Sequence, residues 1–273
     1  MNNISNNYNY NELKTILLNS KFIKGEQFKN KINRHLPYKV VENKESIQIQ
    51  FGSKNSFCGI IQIEKELGEV EILSFGYQPR CTTPEIPKYV GTHILLQEML
   101  NVLIDFIKKQ SLNIKTILFT DNSSKSIYDV NGEEYTSWLA DSYRILSGKT
   151  WYQVVMSNFL VQLKDKQIRI IAENDMKRYM TLMTKDYDFN NLFLINDITI
   201  LTNKEKCLGT KLWKENQDKK VWETMRIILE KDSNLFTKIY KPMMKNLNIT
   251  FITGNTFEII PHISVANSYL INV

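Results

Sequence analysis

The residues of this chain that could handle a phosphate-bearing ligand fall between Gly91 and Tyr152. Gly91-Thr92 stands at the head of a long apolar-striped segment, His93 to Lys109. The first N–H groups of a helix have no partner within it, and the positive end of the helix dipole adds to their pull on phosphate oxygens. A glycine at that place also serves as a plain helix cap after the proline-punctuated loop Gln78 to Lys88. Gly148-Lys149-Thr150 shares its last residues with a P-loop, but Tyr143 occupies the position where that loop needs its first glycine. A helical pattern also precedes it where a strand is required, so the P-loop reading is excluded. Asp121-Asn122 follows a strand-like run on the side where α/β sheets collect ligands, although such residues also form ordinary loops.

Composition narrows the partners. The chain has 273 residues and a formal net charge of +6, carried mostly by lysine. Lys, Asn and Ile rise together in AT-rich genomes, so the bias also has a codon-level reading; as charge, it favours anionic ligands such as nucleotides or nucleic acid. Lys204 to Lys206, Lys211 to Lys220 and Lys238 to Lys245 carry Trp213, Trp222 and Tyr240 among them, a mixture that can stack on bases and screen phosphates. Glu215, Asp218, Glu223 and Glu230 alternate with these lysines, which is equally the pattern of a solvated helix face. Cys58, Cys81 and Cys207, like His35, His93 and His262, are scattered. That spacing predicts neither a zinc site nor a disulfide framework, and it fits a reducing compartment. The polar, Asn-rich N-terminus has no signal-peptide pattern and no apolar run suffices to span a membrane, so the expectation is a cytoplasmic protein without membrane contact.

The elements that would position these residues follow from periodicity. Glu12 to Leu18 and Glu26 to Leu36 read as short helices, the second closed by Pro37. Ser46 to Phe51 alternates with period two, Cys58 to Glu64 follows after a polar turn, and Glu69 to Phe75 makes a third strand. The apolar residues of His93 to Lys109 recur with helical spacing on a wide face, so this helix packs on a sheet and crosses over to a buried strand at Ile114 to Thr120. Ser137 to Leu146 reads as a helix and Trp151 to Leu163 as one or two strands. Further on, Asn174 to Thr184 reads as a helix and Asn191 to Leu201 as a strand. Asp218 to Met244 is a long helical stretch, broken near Asp232-Ser233 and stopped around Pro242. Ile249 to Thr253 and Thr256 to Ile260 flank Gly254-Asn255 as a hairpin. The fold class is α+β, with a mixed central sheet and flanking helices. The expected organisation is an N-terminal helical segment at 1–40, a first domain at 41–163 and a C-terminal α+β extension at 164–273.

The order of hairpin strands, strand, crossover helix, strand, second helix and Trp151-Tyr152 resembles the GCN5-related N-acetyltransferase (GNAT) family over about residues 40–163. Within that resemblance, the divergent GNAT-like domains of large DNA viruses are the most similar. The family's phosphate-wrapping signature is matched in frame by Lys88-Tyr89-Val90-Gly91-Thr92-His93, with Lys88 for the leading Gln or Arg and Gly91 for the first glycine. His93 stands where the family has a small residue, and Val154-Val155-Met156 where it has Gly-Phe. The resemblance implies an acyl-CoA-dependent N-acyltransferase that binds acetyl-CoA or a related acyl-CoA, needs no metal and acts on an amine acceptor. It implies that Leu73, Ser74 and Phe75 pair with the pantetheine arm while Lys88, Tyr89, Val90, Gly91 and Thr92 hold the pyrophosphate. Glu71 is implied as the base for the amine and Tyr152 as the acid for the departing thiolate. The two departures favour an alternative: a non-catalytic descendant, such as a virion or assembly protein in host cytoplasm or particle, with protein partners docking on 164–273. A nucleic-acid-binding protein is the second alternative.

Overall fold

The computed structural model describes residues 38–53, 56–75, 92–114, 116–128, 132, 134–156, 159–193 and 201–261. The two expected N-terminal helices therefore lie outside the described residues. The described residues form two units: those within 38–120, 155–164 and 256–261 belong to a sheet unit, and those within 121–154 and 165–255 to a helical unit.

The sheet unit is a mixed, mostly antiparallel open sheet in an α+β fold. Its strands are β1 (Tyr38–Glu42), β2 (Ser46–Ser53), β3 (Ser56–Glu64), β4 (Glu69–Phe75), β5 (Thr116–Thr120), β8 (Phe159–Leu163) and β9 (Thr256–Pro261), in the order β1-β2-β3-β4-β5-β9-β8. Among the described strands only β4 and β5 run parallel, and helix α1 (Thr92–Lys109) lies between them in the chain. The period-two pattern puts Ile49, Phe51, Ile61, Ile63, Val70, Phe119, Phe257 and Ile259 in the core. Each such side chain is worth roughly 1.5–3 kcal/mol when fully buried. Helix α1 lays Met99 against β3 at Gly59, where an added Cβ would come within 2.4 Å of the thioether. One cross-strand row on the opposite face reads Gln48, Gln62, Glu71, Leu118, Glu258 and Gln162.

The helical unit contains the antiparallel pair β6 (Ser124–Tyr128) and β7 (Glu134–Trp138), followed by α2 (Leu139–Ser147) and α3 (Trp151–Val155), whose last residue falls at the unit boundary. Then come α4 (Lys166–Tyr179), a 3-10 turn (Thr184–Asp186), α5 (Phe189–Phe193), α6 (Asn203–Glu215), α7 (Val221–Lys231) and α8 (Ser233–Asn246). Local caps set the boundaries. Asp165 accepts from Gln167 N and Ile168 N, and Thr202 and Glu205 close a capping box. Asp232 accepts from Asn234 N and Leu235 N, which places the break foreseen at Asp232-Ser233.

Several expectations change. Helix α8 runs through Pro242 to Asn246. An internal proline costs about 3 kcal/mol, and the buried stripe Ile239, Tyr240, Met243 and Met244 continues across it, which outweighs that cost. The stretch Trp151 to Leu163 divides into α3 and β8, and Phe189–Phe193 is helical where a strand was expected from Asn191 onward. The expected hairpin at Gly254-Asn255 does not form. Ile249 to Thr253 is held by carboxylates instead, and Thr256–Pro261 slots between β5 and β8 with both edges engaged. β9 is a strand of the sheet unit, and 121–154 belongs to the helical unit. Cys58 on β3 is disulfide-bonded, while Cys207 is free and exposed. That corrects the expectation of no disulfide and removes the cysteine-based reason for a reducing compartment. A disulfide needs two cysteine Cα atoms brought within about 7 Å, a condition that spacing along the chain does not reveal.

Candidate functional site

The end of β4 departs from regular sheet geometry. Its parallel ladder with β5 runs from Glu69 opposite Thr116 to Ile72 opposite Phe119, and Leu73, Ser74 and Phe75 lie past the last pair. On its other edge, Ile61 faces Ile72 but Ile60 faces Ser74, so Leu73 is the extra residue of a β-bulge. The bulge breaks the in-out alternation. Ile72 is buried, and Leu73 and Ser74 are then exposed in succession, Leu73 at 46%. Because β4 and β5 are parallel, their C-terminal ends share one end of the sheet, where ligands of such pairs collect.

Glu71 is exposed two residues before the bulge, on the polar face beside Gln62 and Leu118. Its neighbours on that face form amide–carboxylate bonds, Gln62 donating to Glu64 and Gln162 to Glu258. Lys88, Tyr89, Val90 and Gly91 lie outside the described residues. Thr92 opens α1, and its side chain, like that of His93, is outside them too. The structure thus gathers Glu71, Leu73, Ser74 and Phe75 on one strand.

Tyr152 belongs to the helical unit. It is buried, and its hydroxyl donates to Asp121 Oδ1 at 2.8 Å. Burial, followed by the Asp121 charge, pushes the phenol well above its ordinary pKa. Asp121, 1% exposed, also accepts from Ser123 N at 2.9 Å and from Ser123 Oγ, whereas its Oδ2 is buried without a hydrogen-bond partner among the described residues. The backbone of Asp121 extends the β5 end by one step: its N–H donates to Asn255 O and its carbonyl accepts from Gly254 N. Sequence spacing singles out Asp121 and Tyr152 separately, 31 residues apart, without indicating that they meet.

A second polar cluster escapes the sequence reading. Asp141, fully buried on α2, accepts from Ile252 N (2.9 Å), Thr253 N (3.2 Å) and Thr253 Oγ1 (2.8 Å). Burial still raises its pKa, outweighing those hydrogen bonds and the Arg144 charge. Arg144, 3% exposed, has its Nη1 3.9 Å from Asp141 Oδ1 and donates from Nη2 to Ala172 O at 3.4 Å. Asp175 on α4 takes Thr250 N and Thr250 Oγ1, and Arg178 donates to Leu247 O and Asn248 O. Asp141, Asp175 and Arg178 thus hold the irregular segment 247–253. No signal in the sequence marks this cluster, because α2 is buried along nearly its whole length despite its polar residues.

Comparison with protein-family models, curated proteins and solved structures finds no match. Among the described residues no His/Cys/Asp/Glu group has metal-binding geometry, and no helix is long and apolar enough to cross a membrane.

Proposed function

We propose that the sheet unit is a GNAT-like scaffold that binds an acyl-CoA along the end of β4, and that the chain is an N-acyltransferase or a descendant of one. The observation that carries this reading is the bulged β4 end, lying past its parallel ladder with β5. An extended backbone there, with Leu73 and Ser74 exposed, suits the amides of a pantetheine arm laid beside it as a further strand. When bound, the thioester supplies an activated acyl carbon. Glu71, exposed on the same strand, is the chain's carboxylate for taking a proton from an amine acceptor. Lys88 to Thr92 would hold the pyrophosphate by the helix-start chemistry of α1.

The thermal shift of the full chain with acetyl-CoA tests this. At hundredfold excess over Kd, a ligand of the native state adds about 2.7 kcal/mol, which raises Tm by roughly 5 °C or more. Desulfo or adenine-only analogues should shift less, and Gly91→Glu should remove the shift. Absence of any shift at millimolar acetyl-CoA rejects the reading.

One observation favours a second reading, a non-catalytic binding platform on the same scaffold. The Tyr152 proton is committed to Asp121, and burial keeps the phenol a weaker acid than usual. A platform would bind the cofactor without turnover, or bind none. A radiolabelled acetyl-transfer assay with polyamines and lysine peptides separates the two.

A further inference from the structure

We propose that residues 262–273 add a further strand to the outer edge of β8, running parallel to it, so that this edge is a strand-binding surface filled by the protein's own chain. The inference does not rest on the acyl-CoA reading.

The two ends of the sheet differ. β1 closes one end and β8 the other. β1 carries Lys39 and Glu42 and is exposed along its whole length, as an edge guarded by charge is. β8, Phe159-Leu160-Val161-Gln162-Leu163, has neither a charged residue nor a proline. Nevertheless Val161 is 2% and Leu163 6% exposed. Among the described strands β8 has a neighbour on one side only, so burial this deep means that something lies along the other.

The backbone groups say what kind of neighbour it is. Lys164 N donates to Thr256 O, so the even-numbered residues of this stretch turn their N–H and C=O groups toward β9. Those of Val161 and Leu163 then point outward. Buried backbone groups have hydrogen-bond partners, and residues this buried are closed to bulk water. The other described strands of the sheet all lie on the inner side of β8. A further strand offers donors and acceptors at the spacing that alternate residues require. The burial is a property of the chain by itself, so it calls for no second copy.

Residues 262–273 are placed to supply that strand. They follow Pro261, which ends β9 opposite Phe159, at the start of β8. β9 is antiparallel to β8, so a chain that turns back at this point runs parallel to β8. Passing over the β8 end covers two strand spacings, about 10 Å, or roughly three residues. The remainder suffices to pair along the whole of β8. Residues 1–37 lead into β1 instead, about 29 Å away across the sheet.

The side chains agree. Among the odd-numbered residues of 262–273 only Asn267 is polar, and Ile263, Val265, Tyr269 and Ile271 would continue the buried row of Val161 and Leu163. Ser264 and Ser268 would then face the side of Leu160, which is 44% exposed. No charged side chain occurs in 263–273, matching the uncharged edge it would cover.

Hydrogen exchange followed by NMR on the full chain tests this. The amides of Val161 and Leu163, and alternate amides within 264–272, are expected to exchange at least about a hundredfold slower than in an unstructured chain. Full-length Val265→Asp should abolish the protection within 264–272 while β2 and β3 amides stay protected, and Ser264→Asp should keep it, because only the first puts a charge on the buried face. Light scattering should give a monomer mass at the concentrations used. Three results would overturn the proposal: amides 264–272 exchanging at the unstructured rate in the folded parent, equal effects of the two substitutions, or protection of Leu163 that appears only as a dimer forms, which would give the edge to a second copy.

Discussion

Tyr152 on α3 donates its phenolic proton to Asp121, the residue directly after β5, across 2.8 Å in a buried setting. A hydrogen bond to a charged acceptor contributes about 1.5–3 kcal/mol. Tyr152→Phe is expected to lower stability by about 2 kcal/mol in urea unfolding followed by circular dichroism. If the phenol is structural, the same variant keeps its turnover as well as the acetyl-CoA thermal shift, whereas loss of a catalytic acid would lower turnover with the shift unchanged.

Alkaline pH gives a second expected outcome. Burial pushes the Tyr143 phenol up to about 12 and holds Tyr152, Tyr179 and Tyr240 above their ordinary value as well. In the unfolded chain these phenols ionise near pH 10. Their folded-state pKa values are raised, so the native state holds protons that the unfolded state has released. The stability they contribute is complete below about pH 10 and is lost as pH climbs through the folded values. Phenolate absorbance at 295 nm should therefore rise in two phases, exposed tyrosines first and these buried ones only with loss of structure. A single phase complete by pH 11 in folded protein would contradict the burial.

Removing Asp141 should be costly for a different reason. It leaves Arg144 as a buried cation and deprives Ile252 N and Thr253 N of their acceptor. Breaking a buried pair from one side typically costs about 3–5 kcal/mol, so Asp141→Ala should lose that much at pH 7. Adding Arg144→Met removes the stranded charge and should restore more than about 1 kcal/mol. If the double variant were no more stable than Asp141→Ala, the charge would not be the cause.

The strands β2, β3 and β4 and helix α1 were legible because each has one buried face, which imprints a period of 2 or 3.6 on the residues. Where burial is two-sided or absent, the imprint fails. Tyr38–Glu42 is exposed along its whole length, and no alternation announces β1. Helix α2 is buried almost throughout, so its Asp141 and Arg144 look like surface residues in the sequence. The segment 249–253 has strand composition, but its donors go to Asp141 and Asp175, partners more than 70 residues away. The β4 strand was foreseen; the bulge at Leu73 was not, because it arises from a register shift against β3 that alternation within β4 alone does not encode.

Gly209 offers a test in which two known effects oppose each other. Alanine in a helix interior is favoured over glycine by about 1 kcal/mol, so on propensity alone Gly209→Ala would stabilise α6. A Cβ at this position, however, would sit 2.2 Å from Phe189 Cζ, and that ring has little room to retreat. Phe189 is 3% exposed and packs at 4.5 Å from Phe193 and 6.0 Å from Trp213 between ring centroids. Overpacking of this kind costs about 1–3 kcal/mol, which exceeds the propensity gain. Gly209→Ala is therefore expected to unfold at lower urea concentration, and Phe189→Leu in the same chain should recover part of the loss by giving the methyl group space. A Gly209→Ala variant more stable than the parent would mean that α6 and α5 separate easily.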